Sequence, residues 1–173
     1  ELTNEYTEAA IESHLTLYAK FAEQTAQIFV EEASYKGSTT KNMGADKGVN
    51  AELIELNSSI FQVEAIKNEN TNYPGLNKSG QIRLYAGSGN GNTIRFEISQ
   101  DYTIVKLDIK FGTLSAAAKV TIDQVEHNLT GDEVSNKTVQ YDGLSTSTFA
   151  IQNVNPTNVQ LYILSITITY TKN

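Results

Sequence analysis

Most of this chain is written in a two-residue period, and that period is what most restricts its fold. In residues 103–111, Val105, Leu107, Ile109 and Phe111 alternate with Lys106, Asp108 and Lys110, the signature of a strand buried on one face and wet on the other. Comparable runs occupy 60–65, 81–86, 93–98, 118–122, 138–141 and 149–151. The last run, 161–170, sets Tyr162, Leu164, Ile166, Ile168 and Tyr170 on one expected face. Turn residues separate these runs, and no helical pattern intervenes between them. About eight short strands in that arrangement predict a mostly β fold: an antiparallel two-sheet β-sandwich, for which a jelly roll fits better than a closed barrel.

The front of the chain follows a different rule. From residue 7 to about 34, Ile11, Leu15, Tyr18, Ala22, Thr25, Ile28 or Phe29, and Glu32 recur at three- and four-residue steps, which predicts one long N-terminal amphipathic helix. Glu8 and Glu12 fall in its first turn, where carboxylates favour the helix dipole. At Tyr35 the composition shifts to Gly, Ser, Thr and Asn, so the expected division is an acidic helix over 1–34 and a sandwich over 35–173. The net charge of −7 is concentrated in that helix: Glu1, Glu5, Glu8, Glu12, Glu23, Glu31 and Glu32 face Lys20 alone within residues 1–32. An acidic balance argues against nucleic acid as a partner. The near-neutral remainder points to an uncharged ligand. No apolar run approaches the ~20 residues of a membrane span, so no membrane insertion is expected.

Several kinds of chemistry are excluded by what the chain lacks. It has no cysteine, hence no disulfide, thiolate metal site or cysteine nucleophile. Its two histidines are His14, on the expected helix, and His127, in a stretch at 123–128 that reads as a loop. Glu126 cannot orient His127 as a triad carboxylate would, because neighbouring side chains in extended backbone point to opposite faces. The run Gly87-Ser88-Gly89-Asn90-Gly91-Asn92 joins two strands and opens no helix, so it reads as a hairpin with glycines at positive φ rather than a phosphate cradle. Glu97 and Asp108 lie among Arg95, Lys106 and Lys110 on outward faces, where ion pairing is a simpler account than paired acid catalysis. Asp132, Glu133 and Asp142 offer oxygen ligands in turn-rich segments. Without the spacing of a dedicated loop, turn capping is the simpler reading than a structural calcium, and no cofactor is expected.

Sugar binding is the activity that the composition best accommodates. Nine tyrosines, six phenylalanines and many amides supply rings for stacking and groups for hydroxyl recognition, although the absence of tryptophan counts against a broad flat face. Tyr73, held in a loop by Pro74 and Gly75, is one candidate ligand contact, and Arg83 with Tyr85, on one strand face, are the others.

Three stretches carry a resemblance: 75–86 (GLNKSGQIRLYA), 92–98 (NTIRFEI) and 161–170 (LYILSITITY). With the glycine-rich hairpin between the first two and a strand ending at Phe111-Gly112, their order resembles a β-sandwich module of uncharacterised function in surface and secreted proteins of Firmicutes and wall-less bacteria (Mollicutes). The resemblance covers 35–173 and leaves the helix outside it. It implies export and a binding or spacer role, and it implies no catalytic residues. The expected function is therefore a non-enzymatic accessory module of an exported or lipid-anchored bacterial protein, recognising a glycan or surface protein weakly through loops at one sandwich end. A structural spacer or self-association domain is the first alternative, and an appendage of a glycoside hydrolase or nuclease the second. Extracellular or cell-surface localisation would come from a signal peptide, and none stands before Glu1.

Overall fold

A computed structural model describes residues 23–28, 41–43, 54, 56–77, 79–113 and 115–173. The strands are β1 (Gln24–Ile28), β2 (Lys41–Asn42), β3 (Phe61–Ile66), β4 (Gly75–Leu76), β5 (Ile82–Leu84), β6 (Thr93–Ile98), β7 (Tyr102–Phe111), β8 (Ala118–Ile122), β9 (Val125–Leu129), β10 (Thr138–Thr146), β11 (Thr148–Asn153) and β12 (Leu161–Lys172). One helical turn, α1 (Gly131–Val134), links β9 to β10. They form two antiparallel sheets: one in the order β10-β7-β12-β5-β4-β2, with β1 also paired to β12, and one in the order β3-β6-β11-β8-β9.

The alternating apolar residues meet between the sheets. Phe61, Phe96, Phe111 and Phe149 are fully buried, as are Ile82, Leu84, Ile94 and Ile104, each contributing about 1.5–3 kcal/mol of transfer free energy. Phe96 on β6 stacks on its register partner Phe149 on β11 with ring centroids 4.7 Å apart, while Phe61 meets Tyr170 edge-on at 5.6 Å. The outer faces are polar and ion-paired. Arg95 lies 3.8 Å from Glu64 across the β3–β6 pair and 3.9 Å from Glu97 along its own strand. Lys106 lies 3.4 Å from Asp108 and 3.5 Å from Asp142, and the hydrogen bond and charge of Asp108, followed by the charge of Asp142, hold its ammonium above the usual lysine range.

The structure corrects four expectations. The long helix over 7–34 is not formed at 23–28, where β1 runs antiparallel to β12 from Ile166 to Tyr170; the rest of the expected helix lies outside the described residues. β5 covers β12 only at Leu161–Ile163, so the remainder of that edge would expose unpaired backbone groups, and pairing there outweighs helix periodicity. Next, Ile104 faces the core in place of Val105, because Tyr170 pairs with Ile104 and Thr169 with Lys106, leaving Val105 as an extra residue. A second irregularity, at Leu164, reverses the face of β12: Leu161 and Ile163 point inward, while Tyr162 lies outward beside Arg83. Finally, the stretch read as a loop at 123–128 is a hairpin. Asp123 and Gln124 both take positive φ (45° and 66°), the geometry of a tight two-residue turn, and β9 pairs with β8 along its whole length.

Candidate functional site

Four loops converge at the sandwich end where β5 stops and β12 begins, and buried asparagines tie them together. Asn92, completely buried, accepts a hydrogen bond on Oδ1 from the Tyr85 N–H (3.0 Å) and donates from Nδ2 to the carbonyls of Lys67 (3.0 Å) and Asn72 (2.8 Å). Asn153, also completely buried, donates to the carbonyls of Leu84 and Val159 (both 2.9 Å) and accepts from the Asn155 N–H (3.0 Å) and Nδ2 (2.7 Å). Asn155 in turn pairs with both backbone groups of Ala117. Each amide thus replaces a missing backbone partner, which is what burial of polar groups requires.

The glycines of the β5–β6 connection serve these close approaches more than turning. Only Gly89 of the three takes positive φ (96°). A Cβ on Gly91 would collide with the Tyr85 carbonyl oxygen and lie 2.8 Å from the Asn153 oxygen, so no side chain fits.

Between the loops lies a hollow of about 300 Å³ lined by Glu69, Asn70 and Thr71 from one loop, Ala86, Gly87 and Ser88 from the second, and Pro156, Thr157 and Asn158 from the third. Asn70 Nδ2 donates to the Ala86 carbonyl, fastening the first two. Tyr85 follows β5 directly and precedes Ala86, one of the residues that line the hollow.

On that face the structure brings two of the sequence-derived candidates together. The Arg83 guanidinium carbon lies 4.6 Å from the Tyr85 ring centroid and 6.0 Å from that of Tyr162. Tyr162 stands opposite Arg83 in the β5–β12 register, and its hydroxyl donates to Gln160 Oε1 (2.8 Å), which fixes the ring. On either side of this pair stand glycines: Gly75 opposite Arg83 on β4, and Gly112, whose N–H donates to the Tyr162 carbonyl. Tyr73 is placed elsewhere: it packs half-buried against the core, with Lys67 Nζ 5.7 Å from its ring centroid. Tyr162 is the contact that sequence reasoning missed. Its signal was the adjacent apolar pair Ile163-Leu164, which breaks the alternation where the strand changes face.

Two other places invite comparison. A hollow of about 330 Å³ on the outer face of the smaller sheet is lined by Arg95, Lys119 and Gln152 above Ala150, but Arg95 is shared by two glutamates and Lys119 Nζ is bonded to Glu126 (2.9 Å). Its cations are already matched. Between the sheet edges, His127 approaches the Tyr141 ring at 5.0 Å. The Tyr141 hydroxyl is buried without a partner among the described residues, and burial, then the charge of Glu133, pushes its pKa up to about 12. Among the described residues no three His, Asp or Glu converge to hold a metal ion. Of the acids considered for calcium, Glu133 accepts the Thr130 N–H at the start of α1 (2.6 Å), and Asp142 pairs with Lys106. The Thr130 hydrogen bond lowers the Glu133 carboxyl below its usual value.

No protein-family model matches the chain, and no curated protein does. Solved structures do align with it. The family 32 carbohydrate-binding module of AlyQ, in complex with 4,5-unsaturated mannuronic acid, shares 16% identity at a TM-score of 0.42, over 63% of this chain and 94% of that one. The family 32 module of C. perfringens NanJ, in complex with galactose, shares 10% at 0.42, over 64% and 94%. The low-affinity xylan-binding module CBM86 from the gut symbiont Roseburia intestinalis shares 9% at 0.37, over 85% and 94%. At these identities and TM-scores the likeness assigns neither family nor ligand.

Proposed function

We propose that this domain is a non-enzymatic binding module that holds a glycan at its loop end, in an extracellular or cell-surface setting. The observation that carries the reading is the polar hollow contributed by three loops, together with the cluster of Arg83, Tyr85 and Tyr162 on and beside β5 and β12, the strands that meet two of those loops. Sugar recognition needs amide, hydroxyl and carbonyl groups for the hydroxyls and a ring for the apolar face of the pyranose. Thr71, Ser88 and Asn158 supply the first, and Tyr85 and Tyr162 the second. Because Asn92 fixes Tyr85 through both backbone groups, binding demands little ordering of the site. The hollow lies at the small end of the range for ligand pockets, which fits a short ligand held weakly.

The test is a titration of the isotopically labelled domain with neutral and acidic oligosaccharides, followed by amide shifts. Saturable shifts confined to residues 69–71, 83–88 and 156–162, weakened in Tyr85→Ala, support the reading. An unresponsive spectrum across the whole panel at millimolar sugar removes it.

A further inference from the structure

Arg83 is one of only two arginines in the chain, and the two are housed differently. Arg95 sits between Glu64 and Glu97 on the opposite outer face. Arg83 sits between two tyrosine rings, and among the described residues it has neither an ion-pair partner nor a hydrogen-bond acceptor. Its Nε is buried with no partner, so ring stacking has taken water from one side of the guanidinium without supplying an anion. An arginine in that state is stacked and oriented but uncompensated, and its planar fork matches two oxygens of one anionic group.

Gly75 and Gly112 flank the Arg83–Tyr162 pair across the sheet, so neither of these two neighbours has a side chain to place over it. Glu69 is the one carboxylate among the residues that line the hollow, and none of the described carboxylates pairs with Arg83. The charge balance of the whole sandwich favours an uncharged ligand, but a single unpaired arginine beside stacking rings sets the local preference.

Resting on the glycan reading above, we infer that the shelf selects sugars bearing an oxyanion, a uronate carboxylate or a sulfate ester. Tyr85 and Tyr162 face the ring of the sugar, and the terminal nitrogens of Arg83 receive its anionic oxygens.

Affinity electrophoresis separates the possibilities with defined probes: polygalacturonate and alginate for the carboxylate, dextran sulfate for the sulfate ester, and galactan and unmodified dextran as neutral counterparts. The wild-type domain is expected to be retarded by one acidic class roughly ten- to a hundredfold more than by its neutral counterpart, the gain expected of one charge-assisted pair. High salt erodes that preference. In Arg83→Gln the preference falls toward one, and in Arg83→Lys, which keeps the charge and loses the fork, it falls part of the way. Melting curves of each variant show whether it is folded, and the salt dependence of the wild type needs no variant at all. Equal retardation by acidic and neutral polymers overturns the anion preference while leaving glycan binding intact, and a preference that survives Arg83→Gln overturns the role of Arg83. Failure of every polymer to retard the domain overturns the underlying reading as well.

Discussion

Replacing Asn153 by alanine should be among the most damaging polar substitutions in this fold, and its size follows from its partners. The side chain is fully buried and makes four hydrogen bonds of 2.7–3.0 Å: two to the Leu84 and Val159 carbonyls and two from Asn155. At a net contribution of about 1 kcal/mol for each bond, the loss is about 4 kcal/mol. A domain of this size has a total stability of about 5–15 kcal/mol, so the variant should melt roughly 8–16 °C lower, at about 2–4 °C per kcal/mol. Urea unfolding followed by circular dichroism measures the same quantity, and the slope against urea should not change, since the surface exposed on unfolding is unaltered. Asn92→Ala, with three bonds, should cost about 3 kcal/mol by the same count. The double variant should fall short of the sum, because the Asn153 N–H donates to the Asn92 carbonyl and the two side chains hold adjoining loops. A loss below about 1 kcal/mol for Asn153→Ala, the worth of a single bond, would show that the amides do not hold the loop end, and the preorganisation argued for the binding site would go with them.

Three further outcomes follow from the core and the titrating groups. Phe149→Ala removes a fully buried ring stacked on Phe96 and should cost about 3–5 kcal/mol by urea unfolding; a loss under about 2 kcal/mol would mean that the sheets close over the space. Glu133 titrates below its usual value because it accepts the Thr130 N–H, so its contribution is present above the unfolded carboxyl pKa and disappears as pH falls through the folded one. Wild type and Glu133→Gln should therefore melt apart near neutrality and converge in acid, and a gap that persists in acid would show that the charge is not the cause. Tyr141→Phe removes a buried hydroxyl that has no partner among the described residues, so stability at pH 7 should be unchanged or slightly higher. Native-state absorbance titration of the wild type should show tyrosine ionising at about 12 that is missing from this variant, and the folded wild type should lose stability as pH rises from 10 toward that value.

The sandwich was legible where alternation was long enough to have a phase. β3, β5, β6, β7, β8, β10, β11 and β12 each lie on or overlap a run of period two. β2 and β4, at two residues each, are too short to have a period, and β9 is mostly exposed, so it carries no apolar pattern. β1 is the instructive miss. Gln24-Thr25-Ala26-Gln27-Ile28 satisfies a helical spacing and a strand alternation equally well, and what decides between them is the unpaired length of β12, a fact about strands more than a hundred residues away. Within the site, Arg83 and Tyr85 could be placed on one face because they are two residues apart. Tyr162 could not, because one extra residue at Leu164 inverts the face of everything before it. The asparagines were visible as composition, but composition reads them as exposed hydroxyl-binding groups, whereas Asn92 and Asn153 are the interior fasteners of the loops.

That reassignment bears on how the loop end can work. A chain without cysteine has no disulfide with which to fix its loops, and here the fixing falls to amides that bind backbone groups in two directions at once. An amide fastener holds its partners at hydrogen-bond length, so Tyr85 is anchored at its backbone by Asn92 and Ala86 is held by Asn70. The residues assigned to the ligand in the proposed site are neighbours of these fastened positions rather than the fasteners themselves: Thr71, Ser88 and Asn158 in the hollow, and Arg83 and Tyr162 on the sheet. The proposed site thus assigns recognition and rigidity to different side chains. Substitution at Thr71, Ser88 or Arg83 should alter what is bound with little change in melting, whereas substitution at Asn92 or Asn153 should lower melting and binding together. Were binding and melting to fall in proportion at both sets, the loop end would be a structural closure and the hollow merely the space between its fasteners.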